Sequence, residues 1–323
     1  MRRRRFIGET LSGGVLLSSG AAAQQTVTGA TGPDVTTGGE VVIERAVPGR
    51  PHAGKVLAAI QPHADDIPLY AAGTVAKLMN EGYTGYLIRV TNDDMTGPGD
   101  FGETVLVNEQ EHKALAKAMG FKKVYDLNYN KHRVDGVSPP ELRGRFIFLF
   151  RLLRVDTVFC YDPWGHYEEN PDHYVTAEAV EAACWMAPMS KDYPEHFDAG
   201  LKAYGPRERY YYARGPQLVN RIVDISSTME KKIEVNCLNK AQGPTGNSGA
   251  RLRARLAAQK LRLPILGDSD ETANREYVRH FVLRSNADLG QKYGLQYAEK
   301  FHYIGPRRSG LDEYIKQNSV PLR

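Results

Sequence analysis

Cysteine is scarce in this chain, with only Cys160, Cys184 and Cys237 among 323 residues. No Cys-x-x-Cys unit exists, so a thiolate metal site or a disulfide scaffold is excluded. Cys160 falls in a strand-like apolar run and Cys184 in a helical one, which points to core packing, with one disulfide permitted but not required. Any bound metal must therefore be held by histidine and carboxylate. Long apolar runs are missing as well. No stretch approaches the roughly 20 residues that a spanning helix needs, so a soluble protein without a transmembrane segment is expected. A strong charge of one sign is also lacking. The formal net charge is +4, and the first 23 residues, with four Arg and one Glu, account for +3 of it, which leaves +1. That balance makes no electrostatic case for nucleic acid. No internal repeat is present, which excludes a solenoid or propeller.

The charge that does exist is concentrated at the start. Arg2-Arg3-Arg4-Arg5-Phe6-Ile7-Gly8 precedes a mild apolar stretch broken by Gly13 and Gly14, and Ala21-Ala22-Ala23-Gln24 supplies small residues for cleavage. Residues 1–23 read as a signal peptide. The arginine run followed by Phe-Ile resembles a twin-arginine signal, so export to the periplasm or beyond is expected. A basic tail is the plainer alternative. Residues 24–55, rich in Gly and Thr with Pro33, Pro48 and Pro51, read as a linker or edge segment with one strand near 41–43. Residues 56–323 are expected to form a single α/β domain whose last third is less typical.

Within that domain the rhythm is strand then helix. An apolar run from Val56 stops at Pro62, and a helix to about Asn80 follows, with Gly82 as its stop. A strand over 86–90 ends in Thr91-Asn92-Asp93-Asp94. After a Gly-rich loop over 97–102 come a helix over 107–119, a strand over 124–127 and a helix over 140–153. A strand over 157–161, a helix over 175–186 and strands over 209–213 and 221–225 continue the pattern. Helices over 228–238, 250–261 and 271–281 follow. The helix over 250–261 is basic and amphipathic, and reads as a solvated face over a Leu stripe, with an anionic surface as the alternative. The alternation predicts a Rossmann-like, doubly wound, mostly parallel sheet with helices on both faces.

In such sheets ligands bind beyond the carboxyl ends of the strands. The first strand of the domain ends there in Pro62-His63-Ala64-Asp65-Asp66. His63 and Asp66, three apart in a tight turn, can converge on one point, while Asp65 projects elsewhere and is free for another task. An imidazole with a carboxylate suits zinc or a similar divalent ion. The plainer reading is a helix N-terminus, but a cap needs one carboxylate and no histidine. A later strand tip runs through Asp162-Pro163-Trp164-Gly165-His166 into Glu168-Glu169-Asn170-Pro171-Asp172-His173-Tyr174. Hydrolytic zinc sites use three protein ligands and leave one position for water, and His63, Asp66 and His173 complete that set.

These two motifs resemble those of the LmbE-like/PIG-L zinc-dependent de-N-acetylases, Pro-His-x-Asp-Asp and His-Pro-Asp-His. The similarity runs from about Val56 to Trp185 and includes the Thr91-Asn92-Asp93 tip and the Asn108-x-x-Glu111 helix. It implies that His63, Asp66 and His173 bind the metal and that Asp65 is the general base. Asn170 stands where the family has a histidine thought to stabilise the oxyanion or protonate the leaving group. An amide donates a hydrogen bond but delivers no proton, and His166, four residues upstream, is the candidate stand-in. Asp172 is expected to orient a metal-bound imidazole, by its place beside His173. Asn92 and Asp93 divide between loop chemistry and outer support of the site, and Trp164 and Tyr167, with Tyr174, between sugar stacking and packing. His52, His112, His132, His196, His280 and His302 lack a partner pattern. The implied reaction is removal of an acetyl group from an N-acetylated amino sugar, with Zn²⁺ or Fe²⁺, Co²⁺ or Mn²⁺ as cofactor. Two alternatives stand beside it: hydrolysis of another amide or ester on the same scaffold, and a non-catalytic sugar-binding relative weakened at Asn170.

Overall fold

A computed structural model describes residues 41–243, 245–306 and 310–321. The expected signal peptide and most of the expected linker lie outside those residues. The strand expected within that linker is β1 (Val42–Glu44), and the domain proper opens with β2 (Val56–Gln61), α1 (Asp66–Tyr70), α2 (Ala72–Asn80) and β3 (Thr84–Thr91). There follow α3 (Phe101–Met119), β4 (Lys123–Tyr129), α4 (Pro139–Leu153), β5 (Thr157–Tyr161) and α5 (Pro171–Met186). The remainder is α6 (Pro194–Asp198), β6 (Glu208–Tyr212), β7 (Arg221–Asp224), α7 (Met229–Leu238), α8 (Ser248–Ala258), α9 (Asp270–Tyr277), α10 (Arg284–Lys292), β8 (Ala298–Ile304) and α11 (Gly310–Asn318).

The described strands form one sheet in the order β1-β7-β8-β6-β5-β2-β3-β4, parallel except at β8, which runs against both neighbours. Its central strands are apolar on both faces because helices cover both. Alternate residues feed two cores: Leu57, Ala59, Leu87, Phe159 and Tyr161 pack under α2, α3 and α7. Ala58, Ile60, Ile88, Val158 and Cys160 pack under α4 and α5. From β2 the chain steps outward to β3 and β4 on one side and to β5 and β6 on the other. The tips of β2 and β5 therefore flank the point where strand order reverses, the place where open α/β sheets bind ligands. Cys160, Cys184 and Cys237 are all free. No helix among the described residues is long and apolar enough to cross a membrane.

Several elements differ from their sequence-based bounds, for local reasons. The helix expected from Asp66 to Asn80 is two helices, because Ala71 adopts a non-helical φ of −137°. The Pro68 carbonyl beside that break is taken by the Asn236 amide at 2.8 Å. The N-terminus of α2 receives a partner from far away: Glu299 of β8 accepts from the N–H groups of Gly73 and Thr74 and pairs with buried Lys232 at 2.5 Å. Helix α3 starts six residues before expectation, at a capping box formed by Asp100 and Glu103. Helix α5 starts at Pro171 rather than 175, with Asn170 as its N-cap. The motif expected in a loop is thus the cap and first turn of a helix. Helix α8 has Leu252 and Leu256 half-buried and its arginines largely exposed. Elements α6, α10, α11 and β8 had no clear sequence signature. In β8 the apolar alternation is masked by Glu299 and His302, which are buried through their partners.

Candidate metal centre

The chain leaving β2 folds back on itself, and the His63 N–H donates to Asp66 Oδ2 at 2.8 Å. From the end of β5, the Tyr161 hydroxyl donates to Asp66 Oδ1 at 2.8 Å. The carboxylate is thereby fixed from both strand tips. His173, in the first turn of α5, stacks flat on the Tyr161 ring at 4.1 Å. Its Nε2 lies 3.0 Å from His63 Nδ1 and 3.6 Å from Asp66 Oδ1. His63 Nδ1 is 3.7 Å from Asp66 Oδ2. All three residues are buried, and their ligand atoms lie within 4.8 Å of one another.

Each imidazole has its outer nitrogen against a carboxylate. His63 Nε2 is 3.0 Å from Asp172 Oδ2. Asp172 is itself held by the backbone N–H groups of His132 at 2.7 Å and Val134 at 3.2 Å. His173 Nδ1 is 3.1 Å from Glu168 Oε1, a close contact that is not well aligned as a hydrogen bond. Glu168 is clamped by Arg214 through two guanidinium nitrogens at 2.5 and 3.1 Å. Carboxylates accept and do not donate, so they assign the ring protons to the outer nitrogens. The inner nitrogens then face each other as two lone pairs 3.0 Å apart, beside a carboxylate. That arrangement calls for a cation. A tetrahedral zinc with Zn–N bonds of 2.0–2.1 Å separates two ligand nitrogens by about 3.3 Å. The nitrogens are 3.0 Å apart, and each has an oxygen of Asp66 at 3.6 or 3.7 Å, Oδ1 from His173 and Oδ2 from His63, so the residues fit a small divalent ion.

The carboxylates around the cluster favour positive charge there. Burial lowers the pKa of His63, but the bond to Asp172 and the charges of Asp66 and Asp93 outweigh it and raise the value. Burial pushes Glu168 up, yet the nearby His173 ring and the Arg214 clamp hold it down at about 2. Asp172 is likewise lowered, burial being overcome by His63 and the two backbone donors. Asp65 moves the other way: burial, then the charge of Asp66, raises its pKa. Its side chain makes no hydrogen bond to the cluster among the described residues. Instead Oδ1 accepts from the Gln242 amide at 3.3 Å.

The remaining candidates take distinct places. Asn170 spends its amide oxygen on capping α5, accepting from the Asp172 N–H at 3.0 Å. Its NH₂ lies 3.4 Å from His173 Nε2, at the rim of the cluster. His166 does not join the cluster: it is exposed, its N–H donates to the Pro216 carbonyl, and its ring lies near Tyr167. Asp172 orients His63 rather than its neighbour His173, because the first turn of α5 points the two side chains to opposite sides of the pair. Glu168 serves His173. Asn92 makes a local turn by accepting from the Asp94 N–H at 3.2 Å. Asp93 is buried behind the His63 turn, accepts from the Ala64 N–H at 3.2 Å, and is pushed up to about 6 by burial. Trp164 leans on His302 and Tyr211 with half its surface exposed, and Tyr167 is 90% exposed.

Sequence reasoning missed Glu168, Tyr161, Arg214, Lys131 and Gln242. Glu168 was adjacent to Glu169, so type and spacing did not separate them. Tyr161 carried a usable signal, since strand parity puts it on the face of Phe159, above α1. Gln242 carried none.

Comparison with known proteins gives a family-model match over part of the chain and a fold. The family model described as PIG-L, GlcNAc-PI de-N-acetylase, matches residues 58–184. The diacetylchitobiose deacetylase of Thermococcus kodakarensis is 29% identical over 198 residues, covering 59% of this chain and 71% of that protein. The solved N,N'-diacetylchitobiose deacetylase from Pyrococcus horikoshii, complexed with its inhibitor MPG, superposes with a TM-score of 0.62 at 24% identity, over 77% of this chain and 84% of that one. The 4-carboxy-2-hydroxymuconate hydratase GalB from Pseudomonas putida KT2440 superposes with a TM-score of 0.57 at 16% identity, over 79% and 98%. Both superpositions establish the fold, and the hydratase illustrates that one fold carries more than one chemistry.

Proposed function

The chain carries a PIG-L-family domain across residues 58–184, and from that premise we propose that it hydrolyses the acetamide of an N-acetylated amino sugar, releasing acetate and the free amine. The observation that carries this reading is His63 Nδ1 and His173 Nε2 facing each other at 3.0 Å beside Asp66, with neighbouring Asp65 making no hydrogen bond to that cluster. His63 Nδ1, His173 Nε2 and Asp66 would hold a divalent ion, with zinc first and Fe²⁺, Co²⁺ or Mn²⁺ also compatible with a His/carboxylate set. Bound there, such an ion supplies Lewis acidity toward a carbonyl oxygen and makes water a stronger acid.

The chain's own residues do the rest. Asp172 and Glu168 keep the outer ring nitrogens protonated, so the inner ones stay available as ligands. Tyr161 holds one oxygen of Asp66 and sets the plane of His173. Asp65 takes a proton from the attacking water on its carboxylate and passes it to the amine nitrogen as the C–N bond breaks. Its raised pKa suits a group that must both accept and release a proton. The Asn170 NH₂ would donate to a developing oxyanion, one such donor being worth on the order of 10²–10³ in turnover. The leader expected over 1–23 would put this activity outside the cytoplasm.

The test is acetate release from N-acetylglucosamine, diacetylchitobiose and N-acetylglucosaminyl glycolipids, before and after removal of metal by a chelator and its restoration with zinc. Acetate release that disappears with the chelator and returns with zinc is the expected result. A zinc-loaded protein that releases acetate from none of these overturns the reading. Turnover of an ester in its place would favour the other hydrolase, and no turnover without metal binding would favour a sugar-binding protein.

A further inference from the structure

The aspartate assigned to proton transfer is gripped by a segment from the last third of the chain. Residues 239–243 follow α7 and come down on the His63–Asp66 turn. The Asn239 amide donates to the Ala64 carbonyl at 3.2 Å. Glu111 of α3 accepts from the N–H groups of Lys240 at 2.7 Å and Ala241 at 2.9 Å. Thus secured, the segment presents Gln242 and Gly243 to Asp65. Gln242 Nε2 donates to Asp65 Oδ1 at 3.3 Å. The Gln242 oxygen accepts from Lys131 Nζ at 2.8 Å, and that ammonium also reaches Thr96 Oγ1 at 2.9 Å and lies 3.9 Å from Asp93. An ammonium only donates, so the amide oxygen must face Lys131 and the NH₂ must face Asp65. The Gln242 and Lys131 side chains are buried. Gly243, at φ +82°, leaves room for the other oxygen, since a Cβ there would lie 2.4 Å from Asp65 Oδ2.

We propose that Gln242, oriented by Lys131, is a positioning residue that fixes the Asp65 carboxylate for proton transfer. The inference rests on the de-N-acetylase reading for its catalytic consequence, but not for its geometry. A neutral amide suits the task. It holds one carboxylate oxygen without the direct ion pair that would make Asp65 a poorer base, and the charge of Lys131 is kept one side chain away. Among the described residues the Gln242 side chain hydrogen-bonds to Asp65 and Lys131 and to none of His63, Asp66 and His173, so its loss should leave the metal ligands in place. Misplacement of a catalytic group by about 1 Å can lower turnover on the order of 100-fold.

The experiment compares wild type with Gln242→Leu, which removes both polar atoms of the amide, with Lys131→Met, and with the double variant. Each is loaded with zinc and checked for fold by thermal melting. Crystal structures of the zinc-loaded wild type and Gln242→Leu show where the Asp65 carboxylate sits. The expected result is a fall in kcat on the order of 10- to 100-fold with KM within about twofold, and one zinc per chain in every variant. The Asp65 carboxylate leaves its wild-type orientation in Gln242→Leu, and the double variant is no worse than the poorer single one, because both act through one amide. An Asp65 carboxylate that stays in place overturns the proposal, as does wild-type kcat in Gln242→Leu or strictly multiplicative losses in the double variant. If the wild type releases acetate from no substrate, the de-N-acetylase reading falls, and the two crystal structures still decide whether Gln242 positions Asp65.

Discussion

Replacing Asp172 by Asn tests how the centre is held together. Asp172 only accepts: Oδ2 takes the His63 Nε2–H at 3.0 Å and the His132 N–H at 2.7 Å, and Oδ1 takes the Val134 N–H at 3.2 Å. Asparagine offers one oxygen. With that oxygen toward His63 and His132, its NH₂ meets the Val134 N–H donor head-on; with the amide reversed, two donors are opposed. Either way a buried donor loses its acceptor, at about 1–3 kcal/mol. The negative charge that keeps the His63 proton on Nε2 is also lost, so Nδ1 is no longer reserved as a ligand. Carboxylates that support a metal-bound histidine typically contribute 10- to 100-fold in metal affinity or activity, or about 1.4–2.8 kcal/mol. Zinc titration against a competing chromophoric chelator reads the affinity, and a urea melt of the metal-free protein reads the stability. Both should fall for Asp172→Asn. If stability drops while zinc affinity stays within about twofold, Asp172 is a structural cap and the assignment of ring protons by the outer carboxylates is wrong.

Asp65→Asn should retain one zinc while losing most turnover, whereas His63→Ala should lose both; equal metal loss in the two, by elemental analysis, would remove Asp65 from its assigned role. Glu168 has a folded-state pKa of about 2 against an ordinary 4.5. A depressed carboxylate stabilises the fold above the unfolded value, and that stability is lost as pH falls from about 4.5 toward about 2. Urea midpoints measured through that window should decline less steeply for Glu168→Gln than for wild type, and parallel curves would contradict the coupling to His173 and Arg214. Lys232→Met strands Glu299 as a buried charge at the start of α2, and should cost about 3–5 kcal/mol in a denaturant melt.

The strand–helix rhythm from Val56 to Met186 was legible because β2 and β5 are short continuous apolar runs buried on both faces, so composition alone marks them. Helix starts were less legible. Those of α3 and α5 depend on side chains folding back onto N–H groups, as Asp100 does to Glu103 and Asn170 to Asp172. Beyond Tyr212 periodicity weakens, since β8 buries Glu299 and His302 where an apolar residue would normally mark a strand.

By itself the sequence determined the sheet class and the identity of the three residues that meet at the strand tips. Both are encoded locally, as buried strands and as ionisable residues placed just past their ends. Tertiary structure decided which carboxylate supports which imidazole, that His166 stays on the surface, and that Gln242 reaches Asp65 from 177 positions away. Those pairings depend on the direction in which each helix turn aims its side chains and on where the last third of the chain crosses the sheet, and neither is written in the spacing of residues along it.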